Sequence, residues 1–174
     1  MNASIVRAAE IEPAQYLTFM LAQEQFAIGI LGIKEIIEYQ GVTEVPMMPP
    51  CVRGVINLRG AVVPVVDLLA RFGRASSAAT KRTCVVIVEA DSGKGERQVM
   101  GLVVDAVNEV LDIAPADIEP APAFGARIRS EFLQGVGKVR GKFVLLLDVD
   151  RALSIDEIAG IGEAVDASLD PVAA

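Results

Sequence analysis

The sequence predicts a mainly β fold: two small five-stranded barrels built from one repeated unit. Three observations lead there. Two blocks of the chain recur at near-constant spacing, the apolar runs are short and end in turn residues, and helical stretches are few. Self-similarity carries most of the weight. Gly54-Val-Ile-Asn-Leu-Arg-Gly-Ala-Val-Val-Pro-Val-Val-Asp-Leu68 lies over Gly135-Val-Gly-Lys-Val-Arg-Gly-Lys-Phe-Val-Leu-Leu-Leu-Asp-Val149 at an offset of 81, with six of fifteen positions identical. The Arg-Gly pair and the Asp align as well as the aliphatics, which a chance overlap of apolar runs does not explain. Upstream, Ile33-Lys-Glu-Ile-Ile-Glu-Tyr39 lies over Val107-Asn-Glu-Val-Leu-Asp-Ile113 at an offset of 74. The offset change of 7 puts extra residues of the second copy between the blocks, where the Pro- and Ala-rich stretch Ala114–Arg129 can hold them.

The chain therefore divides into a first unit at about 15–80 and a second at about 81–153, joined by the small polar stretch Arg74–Thr80. Each unit begins with a strand pair: Tyr16–Leu21 with Phe26–Ile30, and Thr83–Val88 with Val99–Val104. A strand around Glu35–Glu38, or Glu109–Asp112, follows. Next comes a proline-bearing loop, Val45-Pro-Met-Met-Pro-Pro50 in one copy and Glu119-Pro-Ala-Pro122 in the other. A hairpin turning at Arg59-Gly60, or Arg140-Gly141, closes the unit, its glycine supplying positive φ. Five short strands cannot bury both faces as an open sheet, and a small closed barrel removes that difficulty. Asp67 is placed to cap a short helix over Leu68–Phe72 that Gly73 ends. Ser154-Ile-Asp-Glu157 is a capping box that starts a C-terminal helix running to about Val165.

Composition narrows the function classes. In 174 residues the apolar share is 52% and the aromatic share 5%, more apolar side chain than two small barrels can hide. An exposed apolar surface kept for partners is the expected outlet. The net charge is −7 with the cations scattered, so there is no basic face to displace counterions from nucleic acid. No run approaches the roughly 18 uninterrupted apolar residues of a membrane span. The N-terminus carries Arg7, Glu10 and Glu12 and lacks the apolar segment of a signal peptide. Cys51 and Cys84 read as free thiols of a reducing compartment.

The chain has no histidine, which removes Ser-His-Asp and Cys-His catalysis, nearly all catalytic zinc sites and a histidine phospho-acceptor. Neither a nucleophile elbow nor a phosphate-binding P-loop occurs. Gly93-Lys94-Gly95 sits between two apolar runs and reads as a hairpin loop. Asp148 and Asp150 have metal-ligand spacing, but they end a strand and precede a helical run where Asp acts as a cap. The expectation is a binding module that is not an enzyme and has no cofactor and no metal.

Set side by side, Tyr16-Leu-Thr-Phe19, Phe26-Ala-Ile-Gly-Ile30, Ile33-Lys-Glu-Ile36, Val42-Thr-Glu-Val-Pro46, Gly54-Val-Ile-Asn-Leu-Arg-Gly60, Pro64-Val-Val-Asp67, Val104-Asp105 and Asn108-Glu-Val-Leu111 closely resemble the CheW family of chemotaxis coupling proteins. The resemblance covers residues 15–155, which it marks as one CheW-like domain. The segments 1–14 and 166–174 fall outside it and are expected to be disordered tails. It implies two SH3-like barrels around a shared core. It also implies a stand-alone adaptor, cytoplasmic and associated with receptor arrays at the inner face of the membrane. The implied partners are the regulatory domain of a CheA-type histidine kinase and the cytoplasmic tip of methyl-accepting chemoreceptors, with no membrane insertion.

Carried over residue by residue, the resemblance implies a receptor-binding groove at Ile33, Glu35, Gly54, Asn57, Arg59 and Val110, with Val107 beside them. It implies a kinase-binding face near Val42, Thr43 and Val45. Each has a plainer reading. Ile33 and Val110 can be ordinary core, Gly54 a backbone necessity shared with Gly135, and Arg59 a turn residue shared with Arg140. A charge-assisted contact between Arg59 and Glu35 would order the groove. Two alternatives stand beside the adaptor: a CheW-like adaptor of a pilus or other non-flagellar system, and a small-molecule-binding β-barrel, which would need a buried polar pocket.

Overall fold

A computed structural model describes residues 14–91, 97–120 and 132–153. The expected C-terminal helix from Ser154, the Gly93–Gly95 loop, the Pro122 end of the second proline loop and both expected tails, apart from Ala14, lie outside those residues.

Eleven strands form two sheets among the described residues. The first copy supplies β1 (Ala14–Leu21), β2 (Glu24–Gly29), β3 (Ile33–Glu38), β4 (Val52–Leu58) and β5 (Ala61–Asp67). The second supplies β6 (Cys84–Asp91), β7 (Arg97–Val104), β8 (Ala106–Ile113), the two-residue β9 (Ile118–Glu119), β10 (Leu133–Val139) and β11 (Lys142–Leu147). Two short helices, α1 (Leu68–Arg71) and α2 (Val149–Leu153), follow the closing hairpins. No helix among the described residues is long and apolar enough to cross a membrane.

The strand order holds a surprise. One sheet runs β3-β6-β7-β5-β4 and the other β8-β1-β2-β11-β10-β9. Each copy thus gives its first hairpin to the sheet that the other copy completes. The joins are the parallel pairs β5–β7 and β2–β11 and the antiparallel pairs β3–β6 and β1–β8. The boundary near residue 80 separates repeats along the chain, but it does not separate barrels in space. The physical reason is that each sheet is closed by pairing between strands far apart in the chain, which the order of the repeats does not fix.

Local chemistry explains the hairpins. Arg59 and Gly60 have φ of 51° and 88°, and Arg140 and Gly141 of 53° and 77°. Both pairs have the two positive-φ central residues of a type I′ turn, whose twist matches that of the flanking strands. Asp67 Oδ1 accepts from the Ala70 amide at 3.3 Å and starts α1, and Gly73, at φ 78°, follows its end. Asp148 Oδ1 accepts from the Arg151 amide at 3.1 Å and does the same for α2.

The largest core lies between the sheets. Phe19, Phe26, Phe72 and Phe132 form a ladder with successive ring centroids 6.0, 5.9 and 5.8 Å apart, flanked by Val86, Val88, Leu102 and Val104 from the other sheet. The barrel interiors hold much smaller clusters: Val63, Val85 and Ile87 in one, and Tyr16, Ala27, Ile113, Val144 and Leu146 in the other. This shared layer, rather than an exposed surface, absorbs most of the apolar excess. The large apolar side chains left exposed among the described residues are Leu31, Ile36, Met47, Val110 and Phe143.

The linker is pinned rather than slack. Ser77 Oγ donates to Asp105 Oδ2 at 3.0 Å and its carbonyl accepts from Arg53 at 3.3 Å. Arg74 stands 3.6 Å from Glu24. Cys51 is buried and Cys84 half-buried, and neither is in a disulfide.

Candidate functional site

Glu35 lies on β3 and Arg59 at the tip of the β4–β5 hairpin. These strands are the two edges of the five-stranded sheet, so the sheet curls until its edges meet. Arg59 Nη1 donates to Glu35 Oε2 at 2.7 Å and Nη2 to Oε1 at 2.9 Å, the contact that the family resemblance raised. Two parallel charge-assisted bonds fix direction as well as distance. The hydrogen bond to Glu35 and then its charge raise the Arg59 guanidinium above its ordinary value. Asn57 serves the same turn, its Oδ1 accepting from the Gly60 amide at 2.7 Å.

Gly54 and Thr43 close the seam further along. The Thr43 amide donates to Val55 O at 2.9 Å, and the Val55 amide donates to Thr43 O at 2.8 Å. A Cβ on Gly54 would overlap the Thr43 carbonyl, so the loop lies this close only because position 54 has no side chain. Gly54, expected at the receptor groove, and Thr43, expected on the kinase face, are thereby parts of one seam. Val42 and Val45 are half-buried beside it, whereas Met47 is 98% exposed at φ 63°. A cavity of about 390 Å³ opens along the seam, lined by Ile37, Glu38, Val42, Val55 and Asn57 among others.

Behind the seam, Arg53 Nε donates to Asp67 Oδ2 at 2.9 Å, and its guanidinium lies 5.5 Å from the centre of the Tyr39 ring. Burial pulls the Arg53 guanidinium down, but its bonds and charge contacts with Tyr39 and Asp67 outweigh that and hold it above its ordinary value.

The second copy repeats the seam more loosely. Arg140 approaches Glu109 at 3.7 Å. A Cβ on Gly135 would come within 2.7 Å of the Glu119 carbonyl, and β9 there plays the part of Thr43 by pairing Glu119 with Val136.

The structure thus gathers Glu35, Asn57, Arg59, Gly54 and Thr43 into one site. Ile33, at the start of β3, is half-buried and packs on the shared core, as does Val107 on β8. Val110, also on β8, is 50% exposed and lies on the edge of the other sheet. Its repeat counterpart, Ile36, is 42% exposed and escaped the sequence reading. The offset that pairs Ile36 with Val110 was the signal that could have found it.

A family model described as the CheW-like domain matches residues 15–169. The chemotaxis protein CheW of Klebsiella aerogenes is 35% identical over 152 residues, covering 87% of this chain and 89% of the relative. That of Rhizobium meliloti is 32% identical, covering 82% and 89%. Protein FrzA of Myxococcus xanthus is 29% identical, covering 77% and 81%. The crystal structure of the scaffolding protein TtCheW from Thermoanaerobacter tengcongensis superposes with a TM-score of 0.74 at 32% identity, covering 83% of this chain and 90% of its own. With its repeat, its paired sheets and its domain-length likeness to these proteins, the chain belongs to the CheW-like family.

Proposed function

We propose that this chain is a non-enzymatic adaptor of chemosensory signal transduction. It joins the cytoplasmic tip of methyl-accepting chemoreceptors to the regulatory domain of a CheA-type histidine kinase, in arrays at the inner face of the membrane. Family membership supports the adaptor role. The observation that carries the site is the two-bonded Arg59–Glu35 pair, which fixes a cation and an anion at the mouth of a seam without burying either. Such a surface recognises by shape and charge and performs no bond chemistry. Ile33, Glu35, Gly54, Asn57, Arg59, Val107 and Val110 form the receptor-binding set. Val42, Thr43 and Val45 form the kinase-binding set, laid on the adjoining loop. The test is co-purification of the full chain with a receptor signalling fragment and a kinase regulatory domain. Both should be retained together; retention of neither ends the proposal.

A second reading, an adaptor of a pilus or other non-flagellar chemosensory system, draws on the likeness to protein FrzA. Receptor fragments from the two kinds of system, compared in the same co-purification, separate these readings. The small-molecule barrel is disfavoured because apolar side chains fill both interiors, where a ligand would have to sit.

A further inference from the structure

Both copies build the same hairpin with the same Arg-Gly turn, so a residue present in only one of them is not demanded by the turn. At the end of the β10–β11 hairpin three exposed side chains depart from their counterparts. Lys138 stands where the first copy has Asn57, Lys142 where it has Ala61, and Phe143 where it has Val62. Phe143 is 64% exposed, whereas every other aromatic ring among the described residues is buried or half-buried. Lys138 and Phe143 are direct cross-strand partners and share a face, Arg140 sits at the turn, and Lys142, paired with Val139, lies on the opposite face. Lys138 binds Glu119 at 2.8 Å and Arg140 approaches Glu109 at 3.7 Å. Lys142 has no ion-pair partner among the described residues. Next to the turn a cavity of about 320 Å³ opens between β8 and the hairpin, lined by Glu109, Leu111, Val139, Arg140 and Lys142 among others.

We infer that this hairpin end is a docking surface for an acidic protein segment carrying a bulky apolar residue. The apolar residue packs on the Phe143 ring, its acidic neighbours compete with Glu119 and Glu109 for Lys138 and Arg140, and acidic residues further along wrap the turn to reach Lys142 on the other face. Charge complementarity selects this occupant: the chain carries −7 overall, yet this hairpin end presents three cations, Lys138 on the face of the exposed ring, Arg140 at the turn and Lys142 on the other face. An anionic membrane fits less well. The acidic remainder of the chain would be repelled by an extended anionic surface, whereas a peptide need meet only the hairpin end. The surface is separate from the Arg59 seam and does not depend on the function proposed above.

A displayed library of random peptides, panned against the full chain, tests it. The comparison protein carries Lys138→Asn, Lys142→Ala and Phe143→Val, side chains that the same turn already accommodates in the first copy. The wild type should enrich peptides with several Asp or Glu around a Leu, Phe or Met, and the variant should not. A synthesised winner should bind about tenfold more weakly to the variant, and more weakly to the wild type as salt is raised. If the triple variant unfolds early, Lys142→Ala and Phe143→Val are compared singly. The proposal is overturned if no acidic peptides are enriched or if the variants bind the winner as well as the wild type does. It is equally overturned if phosphatidylglycerol vesicles, and not peptides, are what the hairpin residues bind.

Discussion

The Arg59 guanidinium holds both carboxylate oxygens of Glu35, at 2.7 and 2.9 Å, from a backbone position that disfavours arginine. Its φ is 51°, and the first central residue of a type I′ turn is better served by Asn, Asp or Gly. The arginine side chain is 75% exposed, so the ion pair adds little to folding stability. Turn chemistry gives no reason for an arginine here, and the ordered charge pair does.

Arg59→Asn should therefore leave thermal unfolding unchanged or slightly raised, because it supplies the residue the turn prefers. Receptor-dependent kinase activation should fall sharply, while binding to the isolated regulatory domain persists. Arg140→Asn is the comparison. Its guanidinium lies 3.7 Å from Glu109, without the two-bonded lock, and should tolerate the change. Equal loss of activation in both variants would assign the arginine to the turn and sink the receptor site.

Gly54→Ala should act through the fold. A Cβ there meets the Thr43 carbonyl, so the Thr43–Val55 bridge must open or β4 must shift. The expected cost is about 3 kcal/mol in chemical denaturation, with both partners bound more weakly as the seam spreads. Wild-type stability in this variant would show that the glycine is not required by packing.

The parts that were legible in the sequence are those set by neighbours along the chain. Arg-Gly turns, Asp caps and the alternation within each hairpin depend on residues a few positions apart, and each lies where the sequence puts it. The exchange of first hairpins was illegible for a physical reason. The joins pair strands of different repeats, β2 with β11 and β5 with β7, so nothing local says which sheet each hairpin completes. The Arg59–Glu35 contact spans 24 residues and was visible only through the family resemblance. Met47 and Phe143 were concealed differently, because each sits among apolar residues and exposure depends on which way the local backbone turns.

The two capping aspartates should not be equivalent, despite their matched positions. Asp148 is part-exposed, caps α2 and meets the exposed Arg151 at 3.6 Å, a surface pair that adds little, so Asp148→Ala should cost about 1 kcal/mol. Asp67 is 3% exposed and also pairs with the half-buried Arg53 at 2.9 Å. Asp67→Ala leaves that guanidinium without its carboxylate and should cost about 3 kcal/mol. Adding Arg53→Ala to Asp67→Ala should recover part of the loss. Urea midpoints for the four proteins decide it, and equal costs for the two aspartates would contradict the assigned role of Arg53.

Cys84 should react sluggishly. Burial first, and the Glu38 carboxylate second, push its thiol above the ordinary value. Its folded form is therefore favoured by protonation. The stability this confers is present at low pH and is lost as pH climbs from the ordinary thiol value through the raised one. Iodoacetamide labelling of Cys84 at about pH 8.5, the ordinary midpoint, should be slower than that of a free cysteine, and Glu38→Gln should speed it. Cys51, which is buried, should label only on unfolding. Cys84 labelling as fast as a model thiol would refute the shift.

The hairpin exchange makes the two repeats one folding unit. The β1–β2 hairpin lies between β8 and β11, and β6–β7 between β3 and β5, so neither repeat keeps a complete sheet without the other. Most of the apolar core is also shared between the sheets. Fragments 1–79 and 80–174 should each lack a cooperative thermal transition, and an equimolar mixture should regain one. In the intact chain the tyrosines report the barrels separately. Tyr16 packs in the small core of one and Tyr39 against the small core of the other, and the sequence contains no tryptophan to mask them. Urea unfolding followed by tyrosine fluorescence in Tyr16→Phe and in Tyr39→Phe should give the midpoint seen by circular dichroism for the same variant. Separate midpoints from Tyr16 and Tyr39 would mean that each barrel stands by itself, and a fragment folding alone would mean that a repeat does not need the exchanged hairpins.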